Sequence, residues 1–367
     1  MTNNSRPIAL RGAVPGSGFD YGNARLRARR AQLLDGKDFR ELYAAGSADR
    51  MLGALRSTAY ERDLERALVH RGPLRRIDET VRHHLVRSLG DLRRFYEGRA
   101  AAGIELLLGR WDRHNLVTIV RTTARPTVYR ELDSLVVPAG TVGAGPLAEL
   151  ASQPSLRSAI ELMVAWDLPS RRTSRRLLAE WPRYAASNDP MVLEEVLQRA
   201  WAESVDDALG DWEGSDLEEI LRSEIDLLNL LSTLRRRDDE GPAPTDPEDT
   251  LLVGGTLRPR VLDEVHRASD RAQLVAALAG HRLPEGWSGA FEQWSSDDDL
   301  AGLAGRLERA LAGRAIGLFG RGDPLGISIP IAYASAKECE ARNIRLVGRA
   351  LVHRLPLNEV EEDLFPW

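Results

Sequence analysis

The chain has one cysteine, Cys339, in 367 residues, so no disulfide can form within it and a reducing compartment suits it. Cys339 reads as a small residue on a helix. Long apolar runs are also missing. No stretch reaches the roughly 18 to 20 residues needed to span a bilayer, and "MTNNSRPIALRG" at the start lacks the apolar segment of a secretory signal. The expectation is a soluble, cytoplasmic protein that reaches a membrane only through protein contacts. Charge of one sign is missing as well: 50 basic residues face 55 acidic ones, and clusters such as Arg171, Arg172, Arg175 and Arg176 read as solvated faces. Nucleic acid is therefore not an expected partner.

Catalytic equipment is scarce too. The seven histidines are scattered, and the adjacent His83 and His84 point to different faces of a helix, without the i, i+4 spacing of a helical metal site. "GTVGAGPLAEL" has neither the Lys-Ser/Thr ending of a P-loop nor a full Gly-x-Gly-x-x-Gly, so helix-entry geometry explains its glycines. Pairs such as Asp206 and Asp207 carry no information in so acidic a chain. The sequence thus predicts no catalytic residue, no cofactor and no metal.

What is abundant is Ala, Leu, Arg and Glu, with 43% apolar residues and only 6% aromatic ones, which predicts an all-α protein. The length suits three modules. An internal repeat supports that division: "RWDRHNLVTIVR", "SEIDLLNLLSTLR" and "KECEARNIRLVGR" share the pattern acid-x-x-Asn-aliphatic-x(4)-Arg. Its residues are Asp112, Asn115 and Arg121; Asp226, Asn229 and Arg235; and Glu340, Asn343 and Arg349. Asn115 to Asn229 is 114 residues and Asn229 to Asn343 is 114 again. Glu41, Glu149 and Glu264 open similar helix-turn-helix segments, and "LERAL", "LQRAW" and "LERAL" recur on later helices. The Gly/Pro-bearing connectors "LVVPAGTV" and "LLVGGTL" align with Thr141 and Thr256 at 115 residues apart. The expected modules are 1–130, which includes an N-terminal extension, 131–245 and 246–367.

Ile104, Leu107, Leu108, Trp111, Val117, Ile119 and Val120 give the first Asn-bearing segment a broad apolar surface, as expected of a central helix. Asp112 and Asn115, three apart, share a face and can bond a neighbouring helix or connector; Arg121 points elsewhere. A polar pair recurring in three divergent modules reads as a packing and registry device rather than three active sites.

These pieces, in this order, resemble the C subunit of prokaryotic V-type (A/V-type) ATPases and ATP synthases, also called the d subunit. "FDYGNARLRARRAQLL" is similar to that family's Tyr-x-x-x-Asn-Ala-Arg start, with Tyr21, Asn23, Ala24 and Arg25 at a shortened interval. "LRSTAYERDLE" with Tyr60, the Asp-x-x-Asn-Leu helix and the apolar-Pro-Gly-Gly connector match in turn. Two departures are Ala139 in place of a connector glycine and the acidic insertion "DDEGPAPTDPED". The resemblance implies three pseudo-symmetric modules forming a funnel around a pseudo-threefold axis. It implies a non-catalytic central-stalk adapter, peripheral on the cytoplasmic face, that seats the rotor shaft on the membrane proteolipid ring and transmits torque. Partners would then be the shaft subunits and the ring, without direct membrane insertion. Val136, Val137, Leu251 and Leu252 become candidate ring-facing residues, or else close the core between modules. The alternatives are an open helical-repeat scaffold stacked linearly and, further off, an all-α enzyme with a site between modules.

Overall fold

The computed structural model describes residues 18–125, 135–238, 251–294 and 300–367, and every regular element among them is helical. The expected module borders and residues 239–249 of the acidic insertion lie outside the described residues. After α1 (Asp20–Arg30), three shorter helices precede two longer ones: α2 (Gly36–Ala44), α3 (Ala48–Leu55), α4 (Glu61–Ala67), α5 (Pro73–Phe95) and α6 (Gly98–Ala124). The order recurs in α7 (Ala144–Ala151), α8 (Leu156–Ala165), α9 (Arg171–Ser187), α10 (Met191–Leu209) and α11 (Asp216–Asp238). It recurs again in α12 (Pro259–Arg267), α13 (Arg271–Ala279), α14 (Trp287–Glu292), α15 (Leu300–Arg321) and α16 (Ser328–His353), before α17 (Leu357–Asp363).

Local sequence sets these boundaries. Ser47, Ser155 and Asp270 stand at the same place before α3, α8 and α13, and each side chain accepts the N–H three residues on, from Arg50, Ser158 and Gln273. Asp35 caps α2 reciprocally with Asp38. Pro73 and Pro259 occupy first helical positions, where a missing N–H costs nothing.

Each Asn-bearing helix is central. α6 packs on α7, α8 and α10, and α11 on α12 and α15. α16 packs on α15 and also on α1, α2, α3 and α5 from the opposite end of the sequence. A linear stack would hold these apart. One apolar cluster runs through α1–α6, the C-terminal half of α10 and α11–α17, and a second joins the end of α6 to α7–α9 and the first half of α10.

The α16 contact encloses a polar chain. Glu340 accepts the Leu34 N–H (2.7 Å), the Tyr60 hydroxyl (2.6 Å) and the Lys337 ammonium (2.6 Å). Lys337 Nζ lies 3.1 Å from His84 Nε2, and His84 Nδ1 lies 3.0 Å from Asp63. All of these side chains are buried. The arrangement suits a neutral His84 that donates from Nδ1 and accepts at Nε2. Burial, helped by the Lys337 charge, lowers its pKa below the usual 6.5. Burial opposes the Asp63 anion, yet bonds from His84 and Arg87 hold that carboxyl down at about 2. His83 turns instead to Glu79 and Arg82, as the adjacency of the two rings required.

The sign of the pH dependence follows. A histidine whose folded pKa is depressed binds fewer protons folded than unfolded, so its stabilisation is intact above 6.5 and is lost as pH falls below it. Asp63 keeps its full contribution above its ordinary 3.8 and loses it as pH falls from there through about 2. We expect the melting temperature to fall between about pH 7.5 and about pH 5.5, and less steeply in His84→Gln, although His83 and His114 titrate in the same direction. Equal slopes in scanning calorimetry would contradict this assignment.

Candidate functional site

The repeated polar residues form one tie, made three times. Asn115 Oδ1 accepts the Val137 N–H (2.8 Å) while its Nδ2 donates to the Val137 carbonyl (2.7 Å). Asn229 does the same to Leu252 (2.8 and 2.9 Å), and Asn343 to Phe365 (2.7 and 3.0 Å). A carboxamide has the donor and acceptor of a peptide, so it can pair with both backbone groups of one residue as a strand would. The acid one turn earlier holds the far end of the connector. Asp112 accepts the Thr141 N–H and hydroxyl (both 2.7 Å) and the Val142 N–H (2.9 Å). Asp226 accepts the Thr256 hydroxyl (2.5 Å) and the Leu257 N–H (2.9 Å).

Val142, Leu257 and Leu34 each directly precede the N-cap of α7, α12 and α2. Glu340 therefore performs for Leu34 what Asp112 and Asp226 perform for Val142 and Leu257. The third connector is split: Leu364–Trp367 meets Asn343, and the segment before α2 meets Glu340. Sequence reading missed Phe365, although Phe365-Pro366 follows Asn343 at the spacing of Val137-Pro138 after Asn115. Glycine is required where the carboxylates press in: a Cβ on Gly140 or Gly255 would lie 2.1 or 2.4 Å from the nearest Asp112 or Asp226 oxygen. Gly254 adopts φ +88°, whereas Ala139, its counterpart, stays outside the left-handed region.

Val136, Val137 and Leu251 are buried and Leu252 is partly buried. Their side chains serve the core, while Leu135 and Val253 beside them are exposed. Asn23 and Tyr60, singled out by resemblance, both lie at the α16 closure. Asn23 donates to the Pro324 and Gly326 carbonyls and accepts from Tyr96, and Tyr60 bonds Glu340.

The opposite faces of α6, α11 and α16 meet one another. Gly103 packs against Trp212 and Ile327, so the three helices converge towards their N-terminal ends. Beyond that point Arg110 on α6 reaches Glu224 on α11 and, at 2.8 Å, Glu338 on α16; Trp111 Nε1 donates to Glu338 at 3.0 Å. These three charged residues are themselves 114 apart in sequence, and because one is Arg and two are Glu they share no motif. Burial alone would lower the Arg110 pKa, but the two carboxylates outweigh it and raise it.

Beside this triad lies a cavity of about 220 Å³, lined by Arg113 and His114 of α6, Leu228 and Leu231 of α11, Leu311 of α15 and Arg342 of α16 among others. Between Ser223 and Leu234 every residue of α11 is buried except Glu224, Leu228 and Ser232. The corresponding stripes are Arg110, His114 and Thr118 on α6, and Glu338, Arg342 and Leu346 on α16. Arg121, Arg235 and Arg349 continue the stripes. Arg121 is paired bidentately with Glu194, and Arg235 and Arg349 are exposed. Burial pushes the His114 pKa down to about 4 and the Cys339 thiol up to about 12, so this thiol is inert. Among the described residues no group of three or more His, Cys, Asp or Glu could hold a metal, and no helix is long and apolar enough to cross a membrane.

The pattern of the ATP synthase (C/AC39) subunit family matches residues 22–362. The C subunit of the V-type ATP synthase of Thermus thermophilus is 29% identical, over 94% of this chain and 98% of its own length. Its counterpart in the A-type ATP synthase of Haloferax volcanii is 26% identical, over 95% and 98%. The one in the V-type ATP synthase of Deinococcus radiodurans is 24% identical, over 94% and 91%.

Two substitutions test the two faces. Asn229→Leu strands both backbone groups of Leu252 and should cost on the order of 2 kcal/mol in urea unfolding, harming stability more than any binding by the inner face; an unchanged midpoint would place the residue outside the fold's support. Arg110→Leu leaves two partly buried carboxylates facing each other and should cost on the order of 2 kcal/mol, most of it recovered when Glu224 and Glu338 are also made Leu. A triple variant less stable than the single one would contradict the triad's role.

Proposed function

The chain belongs to the ATP synthase C/AC39 subunit family, and from that premise we propose that it is the non-catalytic adapter between the rotor shaft and the proteolipid ring of an A/V-type rotary ATPase, where it transmits torque. The cavity among α6, α11, α15 and α16 is the socket for the shaft. The observation that carries this reading is the matching inner stripe on three central helices, ending at the Arg110, Glu224 and Glu338 contact. Three positions related by one sequence interval and meeting at a point are what a pseudo-threefold axis produces. Convergence near Gly103 supports a funnel whose mouth lies towards the C-terminal ends of the helices.

On this reading each module spans one five-helix series, within 1–130, 131–245 and 246–367, and lends its last helix to the next. The packing of α16 on α5 supports closure of the ring of modules and speaks against an open scaffold. A torque adapter must be held shut around its axis, and the polar centre is spent on ion pairs within the chain. Attachment at the membrane is to the proteolipid ring rather than to lipid, on the cytoplasmic face, with exposed Leu135 and Val253 of the connectors as contacts.

The test is binding to the purified shaft subunits of the same complex. Wild type should bind them, and Leu228→Asp, which puts a charge on the socket wall, should weaken binding at least about tenfold with an unchanged melting temperature. Absence of wild-type binding, or full binding by the variant, would refute the socket.

A further inference from the structure

The socket wall has one level at which all three helices carry the same charge. Arg121, Arg235 and Arg349 stand 11 residues beyond Arg110, Glu224 and Glu338. Eleven residues are three helical turns, so these arginines share the inner face with the triad and lie about 16 Å beyond it along each helix. The intervening levels are mixed: His114, Leu228 and Arg342, then Thr118, Ser232 and Leu346. Only the mouth repeats one residue.

The chain as a whole carries a net charge of −5, so a level with three cations runs against its average. The helix dipole explains a cation near the C-terminal end of α6 or α11, but not why all three stand at the position in register with the inner stripe. The acids that approach the stripe beyond the triad come from outside it. Glu194 of α10 answers Arg121, and Glu308 of α15 answers Arg342 at 2.7 Å. Arg235 and Arg349 remain exposed. With Arg121 neutralised by Glu194, Arg235 and Arg349 remain as like charges at this level, and their repulsion is relieved when carboxylates enter.

Resting on the socket reading, we propose that Arg235 and Arg349, at the level of the Glu194-paired Arg121, form a carboxylate receptor, and that the seated partner is a helical protein rod carrying Asp or Glu about 16 Å behind its tip, by the same three turns of rise. The lining favours this occupant. Between the arginines and the triad, Leu228, Leu231 and Leu311 give the cavity an apolar wall, which suits a partner with an apolar end and an acidic flank. Arginine at the rim binds carboxylates bidentately and fixes rotation about the axis, as a coupling that bears torque requires. The collar also steers the acidic rod towards the mouth before contact.

The experiment compares wild type with the double variant Arg235→Glu, Arg349→Glu; Arg121 is left in place because it neutralises the buried Glu194. Binding to the purified shaft subunits is measured from low to high sodium chloride, with melting temperatures as a folding check. We expect wild-type affinity to fall with salt, and the variant to bind at least about tenfold more weakly at low salt with little remaining salt dependence, at an unchanged melting temperature. If wild type binds, Leu228→Asp blocks binding and the double variant matches wild type at every salt concentration, the socket stands and the receptor is overturned. If wild type does not bind, the socket reading itself fails and the receptor with it. Vesicles containing phosphatidylserine form a second arm: arginine-dependent binding to them, with shaft binding unaffected, would reassign the collar to lipid and overturn the proposal.

Discussion

A buried asparagine side chain holds a connector to a helix through both backbone groups of a single residue, and the rest of the structure depends on that two-point contact. Asn115, Asn229 and Asn343 replace the strand partner that an extended segment would otherwise need. With the acid one turn earlier, each fixes where the chain leaves one helical series and where the next begins. The short helices α7 and α12 start within reach of Asp112 and Asp226 because the carboxylate has already bound the N–H before their caps. Removing an amide frees two backbone groups at once, which makes the contact costly to lose and hard to replace.

Closure follows from the same contact used across the sequence. The third tie joins α16 to residues 364–367 and, through Glu340, to the segment leading into α2. Glutamate, one methylene longer than the aspartates, reaches Leu34 and also gathers Tyr60 and Lys337. Covalent continuity holds the first two junctions, whereas the third rests on side chains alone. That difference gives a physical reason for its extra buried ion pair and for the His84 to Asp63 extension behind it.

Much of the helical order was legible in the sequence because periodicity and caps are local. Asn115, Asn229 and Asn343 were found by interval, the Asp112 and Asn115 face by spacing, and the opposite orientation of Arg121 by its nine-residue offset. The Arg110, Glu224 and Glu338 triad was hidden although its interval is identical, because charge reverses between modules and a pattern search rewards likeness. The role of Phe365 was hidden because no Gly-Thr pair follows it; that half of its connector is supplied near Leu34, more than 300 residues earlier. Val136, Val137 and Leu251 show the limit of apolar content as a guide, since core and interface select the same side chains and only burial separates them.

The claim on which the account rests is that three helices are equivalent about one axis and that side chains alone close the circle. An experimental structure superposed on itself tests this directly. A rotation of about 120° should carry α6 onto α11 and α11 onto α16, bringing Asn115, Asn229 and Asn343 and their backbone partners into register. Failure of α16 to coincide under that rotation, or an Asn343 side chain free of Phe365 with α16 parted from α5, would contradict it.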